Sequence, residues 1–352
     1  MQGSDDTAPG LGVALDVDLQ SRPDALLAVA LLNGLSAKGE ASRICLSISR
    51  PSLTTARLAD VIAEFYATLP LNAGVSTIGM PDGTPPTPDA PALAAVLARK
   101  NADGTPVYAS NVQRQVDTAE SAVLMRNLLL AQPDGNAAIV LAGPATGLAR
   151  LLGLFGSRPQ LVAKVRHLVL AAGAFRNGSA EPSLASNVAA ARQLFSEWPT
   201  PLIAVGAEIG EALPYPGARL LSGLAWSAAH PIADAYCALR SMPYDAPTTA
   251  LAALLHAVHP DAGYFKLSEP GTIAVLDDGR TRFMPSTSGR HRYLIADPAQ
   301  KERLLAAYVG LVCAQPAPRP VRFKPPAVAA TPANVPAPTG NVAAPAARGG
   351  KP

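Results

Sequence analysis

Aromatic residues make up only 5% of this 352-residue chain, and charged residues 16%. With so few rings, the core must be built mainly from Ala, Leu and Val. Hydrophobic residues reach 49%, which excludes a largely disordered chain. Cysteine is scarce: Cys45, Cys237 and Cys313 are odd in number, far apart and without CxxC spacing. That argues against a disulfide framework or a zinc site, and each sits among apolar neighbours as a small buried hydrophobe would. No apolar run approaches the ~18–20 residues that span a bilayer. Met1–Gly10 is polar and acidic and lacks the basic and apolar regions of a signal peptide. The expectation is a cytoplasmic protein, with export left open should the natural start lie upstream.

An excess of positive charge is also missing from most of the chain. The net charge is +3, yet residues 315–352 carry five basic residues and no acidic one, so 1–314 stands at −2. The body therefore lacks the basic surface that nucleic-acid binding requires. The segment 315–352 holds ten Pro and ten Ala, with nothing to bury, and reads as a disordered basic tail. An inert tether is preferred there over a contact with a polyanionic surface. Residues 1–10 read as a flexible N-terminus and 11–314 as one domain.

Within that domain, apolar strands alternate with helices. Gly12–Asp18, Arg43–Ser49, Ala137–Ala142, His167–Leu170 and Pro201–Val205 read as strands; Asp24–Leu35, Leu53–Leu69, Thr118–Gln132, Ala145–Phe155 and Asn187–Glu197 read as helices. Continuous apolar strands separated by helices imply an α/β fold, a mainly parallel sheet with helices on both faces. Five prolines between residues 79 and 92 predict a long loop. Ile273–Leu276, the turn Asp277-Asp278-Gly279 and Arg282–Met284 read as a small C-terminal β-hairpin, followed by a last helix at Ala299–Leu311.

Ligands of open parallel sheets bind beyond the C-terminal strand ends. Polar residues that follow apolar strands are therefore candidates: Asp16, Asp18 and Asp24 around the first strand, the Ala142-Gly143-Pro144 turn, Glu181 and Ser183 after a later strand, and Tyr244-Asp245 before a helix. Each has an ordinary alternative as a turn or cap residue. Separated acids at strand ends can also converge on a hard cation. The five histidines show no metal-ligand pairing and read as structural or exposed.

The order of these pieces resembles a family, the nucleoside hydrolases that prefer inosine and uridine, from about Gly12 to Leu311. V-A-L-D-V-D and P-D-A-L-L-A-V-A-L-L (13–32) are similar to its N-terminal acidic cluster and following helix. S-I-S-R-P-S-L and A-D-V-I-A-E-F-Y (47–66) are similar to its second strand and helix. A-I-V-L-A-G-P-A-T-G-L-A (138–149), V-R-H-L-V-L-A-A-G-A-F (165–175) and A-E-P-S with N-V-A-A-A-R (180–192) resemble its later strand, turn and ribose-loop segments. Y-D-A-P (244–247) stands in place of its His-Asp-Pro, and G-R-H-R-Y-L (289–294) resembles its C-terminal end.

The resemblance implies a hydrolase that cleaves the N-glycosidic bond of ribonucleosides with a calcium-bound water. Asp16 would be calcium ligand and general base, Asp24 a second carboxylate ligand, Ala142 a carbonyl ligand, and Asp245 would close the site. Asp18, Glu181 and Ser183 would bind the substrate, and Tyr244, in the place of a histidine, would protonate the leaving base. The implied partner is a small-molecule nucleoside; neither nucleic acid nor a membrane span is expected, and a homo-oligomer is left open. The sequence departs from the family pattern at Leu19-Gln20-Ser21-Arg22-Pro23-Asp24-Ala25. One acid of a consecutive pair is missing, and Arg22 brings positive charge to the place of the cation. The alternative is a non-catalytic homologue that binds a nucleoside or another ligand. Convergence of Asp16, Asp24 and Asp245 on a common point favours the enzyme; Arg22 filling that space favours the binding protein.

Overall fold

The computed structural model describes residues 10–67, 78–82 and 90–316. Apart from Gly10, Gln315 and Pro316, the expected flexible N-terminus and basic tail lie outside these residues.

The strands are β1 (Leu11–Val17), β2 (Ala41–Ile48), β3 (Ile78–Met80), β4 (Ala119–Glu120), β5 (Ala137–Ala142), β6 (Val165–Leu170), β7 (Leu202–Ala204), β8 (Phe265–Leu267), β9 (Gly271–Val275), β10 (Thr281–Pro285) and β11 (His291–Ala296). They form one sheet in the order β10-β9-β11-β7-β6-β5-β1-β2-β3-β4, with β8 beside β11. Every pairing from β11 through to β4 is parallel. The expected hairpin is present as antiparallel β9 and β10, and it joins the main sheet through β11.

Both faces are covered, as continuous apolar strands require. Val13, Leu15 and Val17 of β1 enter one core with the helices Pro23–Ala37 and Thr249–Val258. Ala14 enters the other core with Ile139, Leu141 and the helices Ser121–Leu130 and Thr146–Gly153. The helix Pro23–Ala37 is apolar all round because it is buried all round, packed on the helices Thr249–Val258 and Lys301–Val312. At Gly34 the Leu311 carbonyl comes so close that a Cβ would sit 2.1 Å from it.

Three elements depart from the sequence expectation, the first being the helix expected over Thr118–Gln132, which begins at Ser121 after strand β4. The proline-rich stretch 79–92 is not a loop throughout. Its first residues complete β3, which pairs with β2 and β4, and Pro91 opens the helix Pro91–Leu97, where a missing N–H costs nothing. The segment around His291 is a strand, β11, inserted parallel to β7.

Strand order reverses at β1. The chain runs outward through β2, β3 and β4, then returns to β5 on the other side of β1. Such a switch point opens a crevice at the C-terminal strand ends.

Candidate functional site

The crevice is real: a cleft of about 520 Å³ opens at these strand ends, lined by Asp18, Arg22, Asp24, Arg50, Glu181, Ser183, Glu211, Arg240 and Asp245 among others. Five of the acids and hydroxyls expected from the sequence therefore share one volume. Asp16, Ala142 and Tyr244 are not on its wall.

Asp18 follows the last residue of β1. Its backbone N–H donates to the Ala142 carbonyl at 2.9 Å, extending the β1–β5 ladder by one step. Its side chain closes the turn: Oδ1 accepts from the N–H groups of Gln20 and Ser21, both at 3.2 Å. Oδ2 accepts from Arg50 Nε at 2.7 Å. Arg50 comes just after β2, so neighbouring parallel strands deliver the pair side by side.

Asp24 lies in the first turn of the helix Pro23–Ala37 and is 1% exposed. Helix N-termini favour negative charge, and here two contribute. Asp24 Oδ2 also accepts from the N–H of Ala250, in the first turn of the helix Thr249–Val258, at 2.9 Å. The rest of the carboxylate is taken by Arg22, which donates from Nε to Oδ1 at 3.2 Å and from Nη2 to Oδ2 at 3.0 Å. This is the two-pronged fit that guanidinium and carboxylate make best. Arg22 Nη1 donates to the carbonyl of Ala171, just beyond β6, at 2.8 Å and lies 3.9 Å from Glu181 Oε1. Burial opposes the Arg22 charge, but the carboxylates of Asp24, Glu181 and Asp18 outweigh it and hold the group protonated above its usual range.

Glu181 caps the short helix Pro182–Ala185, with Oε2 accepting from the Leu184 N–H at 2.9 Å. Burial raises its pKa, against the lowering effect of Arg22 and of the helix N–H groups. Ser183 is buried beside it. Asp245 accepts from the Gly217 N–H at 3.0 Å.

Asp16, expected as metal ligand and base, sits within β1 rather than beyond it, paired with Ser47 and Leu141. It faces the core beneath the helix Thr146–Gly153, where a Cβ on Gly147 would lie 3.2 Å from Oδ2. Its Oδ1 is buried without a hydrogen-bond partner. Burial pushes its pKa up to about 6, partly offset by the nearby hydroxyls of Ser49 and Ser47. Asp18 occupies the cleft position the sequence reading gave to Asp16. The Ala142 carbonyl, expected as a metal ligand, accepts the Asp18 N–H instead. Tyr244, expected as a proton donor to a leaving base, donates its hydroxyl to the Tyr236 carbonyl at 2.6 Å, and its ring stacks on Tyr236 at 4.3 Å. No histidine lines the cleft.

The donor set does not fit a calcium ion. The bidentate Arg22 fork and the Ala250 N–H take up the Asp24 carboxylate. Among the described residues, no three Asp, Glu, His or Cys side chains come together to hold a metal. Of the four expected ligands, Arg22 takes up Asp24, and its guanidinium sits between that carboxylate, the Ala171 carbonyl and Glu181.

Sequence reasoning missed Arg50, Arg240, Glu211 and the Ala171 carbonyl. The rule that polar groups past strand ends form the site points to Arg50, which follows β2, and to the Ala171-Ala172-Gly173 turn after β6. Nothing local marks Glu211 or Arg240, which come from helical connections far along the chain.

No protein-family model and no curated protein matches the chain. Solved structures do. A plant nucleoside hydrolase is 19% identical, with 87% of this chain and 100% of that one covered and a TM-score of 0.63. An inosine-uridine preferring nucleoside hydrolase from Bacillus anthracis is 16% identical, with 86% and 99% covered and a TM-score of 0.60. The type III effector protein XopQ, solved in complex with adenosine diphosphate ribose, is 14% identical, with 87% and 95% covered and a TM-score of 0.61. At these identities the likeness establishes architecture: the chain has a nucleoside-hydrolase-like α/β fold.

Proposed function

We propose that the chain binds a ribose-bearing small molecule in this cleft, without calcium and without cleaving its N-glycosidic bond. The observation that carries this reading is Arg22, whose guanidinium fills the space between Asp24, the Ala171 carbonyl and Glu181.

A ribose presents vicinal hydroxyls, each both donor and acceptor. The cleft offers a carboxylate oxygen on Glu181 and N–H groups on Arg22 and Arg50. The structural neighbours include nucleoside hydrolases and a protein solved with adenosine diphosphate ribose; ribose is the part their ligands have in common.

Three features oppose the hydrolytic alternative. A cation-bound water needs a metal site, and of the expected ligands Asp24 is taken by Arg22, the Ala142 carbonyl by the Asp18 N–H and Asp245 by the Gly217 N–H. Positive charge developing on the sugar would meet a fixed guanidinium, which destabilises it. No histidine faces the cleft, and the Tyr244 hydroxyl is committed to a main-chain carbonyl. The hydrolase reading rests on fold alone, and a fold does not fix an activity.

The test is incubation of the full chain with inosine, uridine, adenosine, guanosine and adenosine diphosphate ribose, with and without calcium, followed by chromatography for released base. The expected result is no release under either condition. Calcium-dependent release of any base would overturn the proposal.

A further inference from the structure

Among the described residues, three arginines and no lysine line the cleft, together with five carboxylates. The arginines differ in how much of their hydrogen-bonding capacity the protein uses. Arg22 spends three of its five N–H groups on Asp24 and Ala171. Arg50 spends one, from Nε to Asp18. Its two terminal nitrogens make no hydrogen bond to the described residues, and its side chain is 28% exposed. Arg240 has no carboxylate partner among the described residues. Its guanidinium lies 5.8 Å from the centre of the Tyr244 ring, and that ring is itself fixed by stacking on Tyr236.

The acids of the cleft are spent in the opposite sense. Asp24 is saturated by Arg22 and the Ala250 N–H. Asp18 holds Arg50 and two main-chain N–H groups, Asp245 holds Gly217, and one oxygen of Glu181 holds Leu184. Four of the five cleft carboxylates are engaged, Glu211 standing apart, while Arg50 and Arg240 keep N–H donors on the planar forks that suit phosphate oxygens.

We infer that the ligand is a phosphorylated ribosyl compound, its phosphate received by Arg50 and Arg240. This rests on the proposed binding function and adds the class of ligand. The sugar lies towards Arg22 and Glu181, at the floor of the switch-point crevice. The phosphate lies outward, where Arg240 has no carboxylate partner among the described residues and Arg50, paired with Asp18 through Nε, keeps its two terminal nitrogens available. Glu211 on the same wall disfavours a second unshielded anion, so selectivity for where the phosphate sits is part of the inference.

The test compares adenosine, adenosine 5′-monophosphate and adenosine diphosphate ribose, titrated calorimetrically into the full chain. The expected result is at least tenfold tighter binding of a phosphorylated compound than of adenosine, falling steeply with added salt. In Arg240→Ala that advantage shrinks by tenfold or more while adenosine affinity changes less than threefold. Arg240→Lys, which keeps the charge, retains part of it. Arg240 is exposed, so its variants are expected to fold, and circular dichroism checks this. Equal affinity for adenosine and both phosphorylated compounds, or an advantage that Arg240→Ala leaves intact, would overturn the inference and leave ribosyl binding standing. Failure of all three to bind would instead overturn the proposed function beneath it.

Discussion

Replacing Asp16 by Asn should stabilise the protein above neutral pH and do nothing comparable in acid. Asp16 is 1% exposed, its Oδ1 has no hydrogen-bond partner, and burial pushes its pKa up to about 6 from the model-peptide value of 3.8. An acid with a raised folded pKa binds its proton more tightly in the folded chain than in the unfolded one. Below pH 4 both states are protonated and the group contributes no penalty. As pH rises from about 4 to 6, the unfolded chain ionises first and gains stability relative to the folded one. Above about pH 6 the loss is complete, on the order of 3 kcal/mol at 1.36 kcal/mol per pKa unit. Asn has the same shape and no charge to bury. Whatever fixed cost or gain its amide brings moves the whole curve and leaves its slope alone. Urea denaturation of the wild type and Asp16→Asn between pH 4 and 8 is the assay. The stability difference should move in favour of the variant by about 3 kcal/mol, mostly between pH 4 and 6. A difference that does not vary with pH, or that moves towards the wild type, would refute the claim that burial outweighs the nearby hydroxyls at this carboxyl.

Asp24→Ala leaves the Arg22 guanidinium without its bidentate partner in a site only 15% exposed, and should cost about 3–5 kcal/mol in denaturant unfolding. Tyr244→Phe removes a hydroxyl that donates to the Tyr236 carbonyl; it should cost about 1 kcal/mol of stability and leave ligand affinity within error, since the ring is off the cleft wall. Gly34→Ala would drive a methyl group to 2.1 Å from the Leu311 carbonyl and should lower the melting temperature markedly, because the helices Pro23–Ala37 and Lys301–Val312 would have to separate.

Much of the architecture was legible because β5 is an unbroken apolar run and β1 and β6 are largely apolar, which a sheet covered on both faces can bury. β11 was not, because His291–Ala296 mixes Arg292 and Tyr293 with apolar residues and two of its six residues are exposed. At the site, strand-end reasoning brought Asp18, Asp24, Glu181, Ser183 and Asp245 to one cleft. It failed to separate Asp16 from Asp18, two residues apart and therefore on the same side of an extended chain. What separates them is where β1 ends: Asp16 still pairs with β2 and β5 and lies beneath a helix, whereas Asp18 is past the last full rung. The seating of Arg22 depends on Ala171, 149 residues away, and Tyr244 is withdrawn by a stack on Tyr236 across a loop. Neither contact leaves a local trace in the sequence.

Arg22 holds the Asp24 carboxylate that a calcium ion would need, and calcium calorimetry on the chelator-stripped full chain puts this to the test. With the Asp24 carboxylate filled by Arg22 and the Ala250 N–H, the account predicts no saturable heat up to millimolar calcium. One-to-one binding that saturates below that concentration and disappears in Asp24→Asn would contradict it.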